Sequence, residues 1–176
     1  MSPSALLVLD LQPAMLPLPD DYLARVTQAI THARATGVPV LYVVVGFRTG
    51  APEMPPRHRD WLSSLDPSAF MQIAPAVAPQ PGELLVVKRR VSAFTGSDLE
   101  QVLRSAGIRH LLLAGVATSG AVLSTVCEAS DRDYELTVLA DACLDSDEEV
   151  HRVLVNKVFP RRGQVLTVAD WAGLAG

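Results

Sequence analysis

The chain has 176 residues, 49% of them hydrophobic and 19% charged, with a formal net charge of −4. That length fits a single domain spanning residues 1–176, large enough to bury a substantial core. No run of Lys or Arg stands out, which argues against nucleic acid or an acidic membrane as partner.

The first apolar run, Ala5 to Leu9, is too short to cross a membrane and lacks a basic flank and a cleavage pattern. The expectation is a cytoplasmic protein without a membrane partner. Being apolar throughout, the run reads as a strand buried on both faces, as in a parallel sheet. It ends in Asp10, with Gln12 just beyond. Tyr22 to Thr36 has helical spacing, with Leu23, Val26, Ile30 and Ala33 on one face, Asp20 and Asp21 at its start and Gly37 after its end. Val38 to Val45 is a second buried strand. Residues 46–66 form a long loop rich in Pro, Gly and Arg, and loops of that length are usually functional or mobile. Ser68 to Ile73 suits a short helical turn, and Pro75 to Gly82 a connection.

Leu84 to Val87 is a short strand ending in Lys88. Ser97 with Glu100 reads as a capping box for a helix reaching about Ser105, closed by Gly107. Ile108 to Ala114 is the next strand. Gly115 closes it, Thr118 or Ser119 offers a cap, and a helix follows from about Gly120 to Arg132. Glu135 to Ala140 is a strand followed by Asp141. Asp145 to Val158 is helical with Asp145 or Ser146 as cap, Gln164 to Thr167 a last strand, and Val168 to Leu174 a terminal turn. Strands alternating with helices predict a doubly wound α/β domain: a mostly parallel six-stranded sheet with helices on both faces, a Rossmann-like three-layer sandwich.

In such a sheet the strand C-termini lie on one edge, and ligands bind in the crevice there. Asp10, Lys88 and the turn after Gly115 all fall at strand ends, so three segments distant in sequence can converge. A carboxylate, a cation that tunes it and the N–H groups of a helix N-terminus make a proton-transfer site with an anion hole. The hole would draw on Ala117, Thr118, Gly120 and Ala121. The pocket would draw on Gln12, Phe47, Arg48, Phe94 and Ser119, with Trp61 as further apolar wall. Arg57, Arg59, Arg89 and Arg90 join Arg48 as guanidinium groups that could hold a carboxylate.

The segments LVLDLQ (7–12), VVKRRVSAF (86–94), GVATSGAVLST (115–125) and DRDYELTVLADAC (131–143) resemble the isochorismatase-like hydrolase superfamily, which includes nicotinamidases, carbamoyl-amide hydrolases and isochorismatases. The resemblance implies a small-molecule hydrolase with an Asp, Lys and Cys triad. The first two positions match Asp10 and Lys88. The third, in the pattern GVATxxC, is Ala121, which cannot be a nucleophile. Cys127 lies roughly 240° round the helix from that position and about 9 Å along it, so it cannot stand in. Cys143 lies beyond the next strand, and both cysteines read as free thiols. Isochorismatases also lack the Cys and, as the resemblance implies, cleave a vinyl ether with the Asp as acid. Two readings follow: hydrolysis of a vinyl ether, amide or carbamoyl compound by Asp/Lys acid–base chemistry, or an inactive member that binds a small ligand or assembles with partners.

The zinc site of the nicotinamidases has no counterpart in VVVGFRTG (43–50), although His58 and Asp60 lie nearby, and no nucleotide-binding motif occurs. No metal and no cofactor are expected. The resemblance further implies a non-proline cis peptide at Val116–Ala117 and a homodimer or higher homo-oligomer, for which VHRVLVNKVF (150–159) could supply an apolar surface.

Overall fold

The computed structural model describes residues 3–174. Six strands, β1 (Ser4–Leu9), β2 (Val40–Val45), β3 (Leu84–Lys88), β4 (His110–Val116), β5 (Glu135–Leu144) and β6 (Gln164–Leu166), form one sheet in the order β3-β2-β1-β4-β5-β6. Every pairing is parallel. The expected doubly wound α/β fold is the one observed. The chain winds outward from β1 to β3, then returns to start again at β4. The order therefore reverses between β1 and β4, where a crevice opens at the strand C-termini.

Side chains of β1 alternate between the two faces. Leu7 and Leu9 join one core with Leu99 and Leu103 of α4 (Leu99–Ser105) and Val126 and Ala129 of α5 (Leu123–Asp131). Leu6 and Val8 join the other with Val26 and Ile30 of α1 (Asp20–Ala35). Burial on both faces is why β1 is apolar from Ala5 to Leu9. Gly115 of β4 has φ 137°, and a Cβ there would collide with the backbone of Leu9, its partner across the ladder. Only glycine lets the two central strands approach here.

Four elements depart from expectation. The stretch 46–66 is not a plain loop: it contains α2 (Pro56–Ser63), begun by a proline suited to a first helical turn. A further short turn, α3 (Pro67–Phe70), follows. β5 runs on to Leu144, beyond the expected Ala140, because it pairs with β4 again as Gly115↔Cys143 and Val116↔Leu144 after an irregularity. α4 starts after Asp98, not in a capping box: Ser97 Oγ donates to the Ala93 carbonyl (2.6 Å), and Glu100 pairs with Arg104 (2.7 Å). α6 (Glu148–Val153) is capped by Asp147, whose Oδ1 accepts from the N–H groups of Glu149 and Val150 at 2.9 and 3.0 Å. Asp145 is engaged elsewhere.

The segment 150–159 turns much of its apolar surface inward. Leu154 and Phe159 are core residues, and Val155 and Val158 pack against them. The chain closes with α7 (Val168–Gly173), which carries a capping box of Thr167 and Asp170. Among the described residues no helix is long and apolar enough to cross a membrane.

Candidate active site

Asp10 is the residue at which β1 stops. Its φ of 55° lies in the left-handed region, uncommon for residues other than glycine but more accessible to Asp than to most. Its N–H donates to the Val43 carbonyl of β2 (2.8 Å), and its own carbonyl accepts from Gln12 (2.7 Å). The backbone is thus pinned while the carboxylate turns over the edge of the sheet. Lys88, the last residue of β3, is fully buried. Its chain passes over β2 to place Nζ 2.8 Å from Asp10 Oδ2, and Nζ also donates to the Val91 carbonyl (2.5 Å).

Asp10 Oδ1 is buried without a hydrogen-bond partner among the described residues. Burial pushes the Asp10 carboxyl up to about 6, against the opposing pull of the Lys88 charge. Burial also lowers Lys88, and the Asp10 charge opposes that shift. The result is a carboxyl whose protonated and ionised forms are both accessible near neutral pH, with one oxygen uncommitted.

The third component is the turn after β4. The Val116–Ala117 peptide is cis, as the resemblance implied. The chain then makes a wide turn with π-helical hydrogen bonding over Thr118–Val122 and enters α5. Neither expected hydroxyl caps it. Thr118 Oγ1 instead hydrogen-bonds His151 Nδ1 of α6 (2.8 Å), and Ser119 contributes its N–H to Asp145 Oδ2 (2.7 Å). The Ala117 carbonyl accepts from the N–H groups of Gly120 (3.0 Å) and Val122 (3.2 Å).

Asp10, Lys88, Val116, Ala117, Gly120 and Ala121 share one cavity of about 410 Å³. Its far wall comes from the segment that looked like a loop: Met54, Arg57, His58, Trp61 and Leu62, backed by Phe70. The convergence of the three strand ends is as expected. Most of the expected pocket is not. Gln12, Phe47, Arg48, Phe94, Ser119 and Thr118 do not line the cavity. Phe47 packs on Phe70, ring centres 5.1 Å apart, in a small core beneath α2. Phe94 is buried against Tyr134 and under Arg132. Arg48 turns to Glu53 (3.6 Å). Aromatic side chains in loops found core positions because burial away from water stabilises them more than an open wall does.

Gln12 is fully buried, and its carboxamide donates to the carbonyls of Val45 (3.0 Å) and Phe70 (2.7 Å) while accepting from the Val45 N–H (2.8 Å). It ties α3 to β2. Gln12→Leu leaves these buried groups unpaired and is expected to destabilise the fold by about 2 kcal/mol. Urea unfolding would show this; a change within a few tenths of a kcal/mol would contradict the structural role.

No thiol lines the cavity. Cys143 lies in β5 opposite Gly115, its thiol pushed up to about 12 by burial. Cys127 lies on α5. Among the described residues no group of three or more His, Cys, Asp or Glu is arranged to hold a metal ion.

The isochorismatase-domain family model matches residues 4–170. The chain belongs to the isochorismatase family. The isochorismatase family protein YecD of Escherichia coli O157:H7 is 31% identical over 175 residues, covering 95% of this chain and 93% of its own length. The ureidoacrylate amidohydrolase RutB of Methylobacterium radiotolerans is 31% identical over 173 residues, covering 88% of this chain and 67% of that protein. Among solved structures, an isochorismatase family protein from Burkholderia thailandensis superimposes with a TM-score of 0.85 at 29% identity, covering 97% of this chain and 94% of that one. N-carbamoylsarcosine amidase from Thermoplasma acidophilum shares the fold, with a TM-score of 0.79 at 23% identity, covering 96% of this chain and 97% of that one. This isochorismatase-family chain therefore stands among hydrolases.

Proposed function

We propose that this protein hydrolyses a small molecule, a vinyl ether, amide or carbamoyl compound, by acid–base chemistry at Asp10 and Lys88 without a covalent intermediate. The observation that carries the reading is the buried Asp10–Lys88 pair at 2.8 Å, with Asp10 Oδ1 unpartnered at the cavity. Protonated Asp10 delivers its proton to the substrate and so makes the carbon to be attacked more electrophilic. Water adds to that carbon and gives up a proton to the Asp10 carboxylate, and the tetrahedral adduct collapses with cleavage of the scissile bond, so the enzyme ends as it began. Lys88 sets the ionisation of Asp10. Of the expected anion-hole donors, the Gly120 N–H is engaged with the Ala117 carbonyl and Thr118 does not line the cavity. Ala117 and Ala121 remain the proposed donors to developing negative charge. Turnover of a panel of vinyl ethers, amides and carbamoyl compounds tests the reading. Activity that survives both Asp10→Asn and Lys88→Ala overturns it.

A second reading, a ligand-binding member without turnover, is favoured by Ala121, since a methyl group stands where the resemblance places a thiol. Ala121→Cys separates the two. Ala121 lines the cavity with Asp10 and Lys88, so a thiol there would meet a proton acceptor and a cation. The variant is expected to react with iodoacetamide at least about tenfold faster than the native chain and to gain amide hydrolysis. Fast labelling without turnover of any compound, while a ligand still binds in the crevice, would favour the binding reading.

A further inference from the structure

We propose that the cavity selects small molecules with a carboxylate at one end and an apolar body, and that Arg89 and Arg57 determine this selectivity. The inference rests on the reading of this cavity as the substrate site, but it concerns binding and not bond cleavage.

The whole chain carries a net charge of −4, yet four cationic side chains, Lys88, Arg57, Arg89 and Arg90, line the cavity against one carboxylate, Asp10. Lys88 is neutralised by Asp10. Arg90 is spent on the protein: it donates to the carbonyls of Glu53 (2.8 Å) and Arg89 (2.6 Å). Two further arginines of this region are also accounted for and lie off the cavity. Arg48 pairs with Glu53, and Arg59 donates to the carbonyls of Met54 (3.0 Å) and Pro52 (3.3 Å).

Arg57 and Arg89 remain. Arg57 uses only Nε, toward His58 Nε2 (2.9 Å), and its terminal nitrogens have no acceptor among the described residues. Arg89 has only a 3.6 Å approach of Nε to Glu53 Oε1, an oxygen already engaged with the Arg48 N–H at 2.9 Å. Two glycines make room for Arg89. A Cβ on Gly46 would lie 2.8 Å from its Nη1, and a Cβ on Gly96 would lie 2.7 Å from its Cβ. The side chain is thus fenced by backbone near both its root and its tip while terminal donors stay uncommitted. A guanidinium held this way loses little further freedom when it binds, and its planar fork matches a carboxylate.

Apart from His58, the rest of the wall is largely apolar, with Leu16, Met54, Trp61, Leu62 and Phe70. A volume of about 410 Å³ admits a small molecule. Its body would lie on this wall, with the anionic end at the arginines and the reacting end at Asp10.

The test uses a probe with no scissile amide or vinyl ether. Binding of 4-methylpentanoate and of its methyl ester is measured by ligand-observed NMR on the native chain, Arg57→Gln and Arg89→Gln, with inorganic phosphate as a control anion. The acid is expected to bind the native chain at least about tenfold more tightly than the ester, and each variant to lose most of that preference. Arg57 is exposed, so Arg57→Gln carries the test if circular dichroism shows Arg89→Gln unfolded. Equal binding of acid and ester, binding of neither, an equal response to phosphate, or an intact preference in the folded variants overturns the proposal. A clear preference without turnover of any panel compound would remove the hydrolase mechanism and leave this assignment standing.

Discussion

Asp10→Asn is expected to lower kcat by about 10³ with the fold retained, because the amide keeps the shape of the carboxyl and cannot deliver a proton. In the native chain the acid is the active form. Burial places its titration at about 6, so kcat/KM should be level below that pH and fall about tenfold per pH unit above it. A profile that instead rises through pH 6 would make Asp10 a base and exclude the acid role. Stability follows the same group. Its folded value lies above the ordinary 3.8, so the native state binds the proton more tightly than the unfolded chain. The Asp10 contribution is present below pH 3.8 and is lost as pH rises through about 6. The Asn variant should lack this segment of the stability–pH curve, which urea unfolding across the window would show.

Lys88→Met should destabilise the protein by about 4 kcal/mol at pH 7, since it strands the Asp10 carboxylate in a buried site with no counter-charge. The cost should shrink at pH 5, where Asp10 can take up a proton. Combining it with Asp10→Asn should recover much of the loss, because the double variant buries no lone charge. A double variant whose loss equals the sum of the two single losses would show that the pair is not coupled.

The scaffold was legible because its signals are local. Ala5 to Leu9 has no polar residue, which suits a strand buried on both faces, and Asp10, Lys88 and Gly115 each end an apolar run. The wall of the cavity was not legible. Phe47 and Phe94 look like pocket residues in sequence, yet each found a core partner, Phe70 or Tyr134, that is remote in the chain. Gln12 looks functional beside Asp10, but its three partners lie on β2 and α3. Asp145 was read as the start of a helix, and it accepts the Ser119 N–H across 26 residues of chain instead. Pairings over such separations leave no periodic trace in the sequence. The extension of β5 escaped notice for the same reason, since only the neighbouring β4 defines it. α2 did carry a signal, the Pro55–Pro56 start followed by Trp61 and Leu62, and the arginines around it hid it.

The strand ladder also bears on how a gene for this protein can change length. Leu9 pairs with Gly115 and Val45 with Lys88, so the ends of the four strands that hold the site are fixed relative to one another. Losing or gaining one codon inside β3 would turn the Lys88 side chain to the opposite face of the sheet, away from Asp10. The same change in the exposed stretch 78–82, before β3 begins, alters no pairing. Length variation among descendants of this chain should therefore gather in such connections, and the cavity wall around α2 can be remodelled by insertion while the Asp10–Lys88 pair is inherited unchanged.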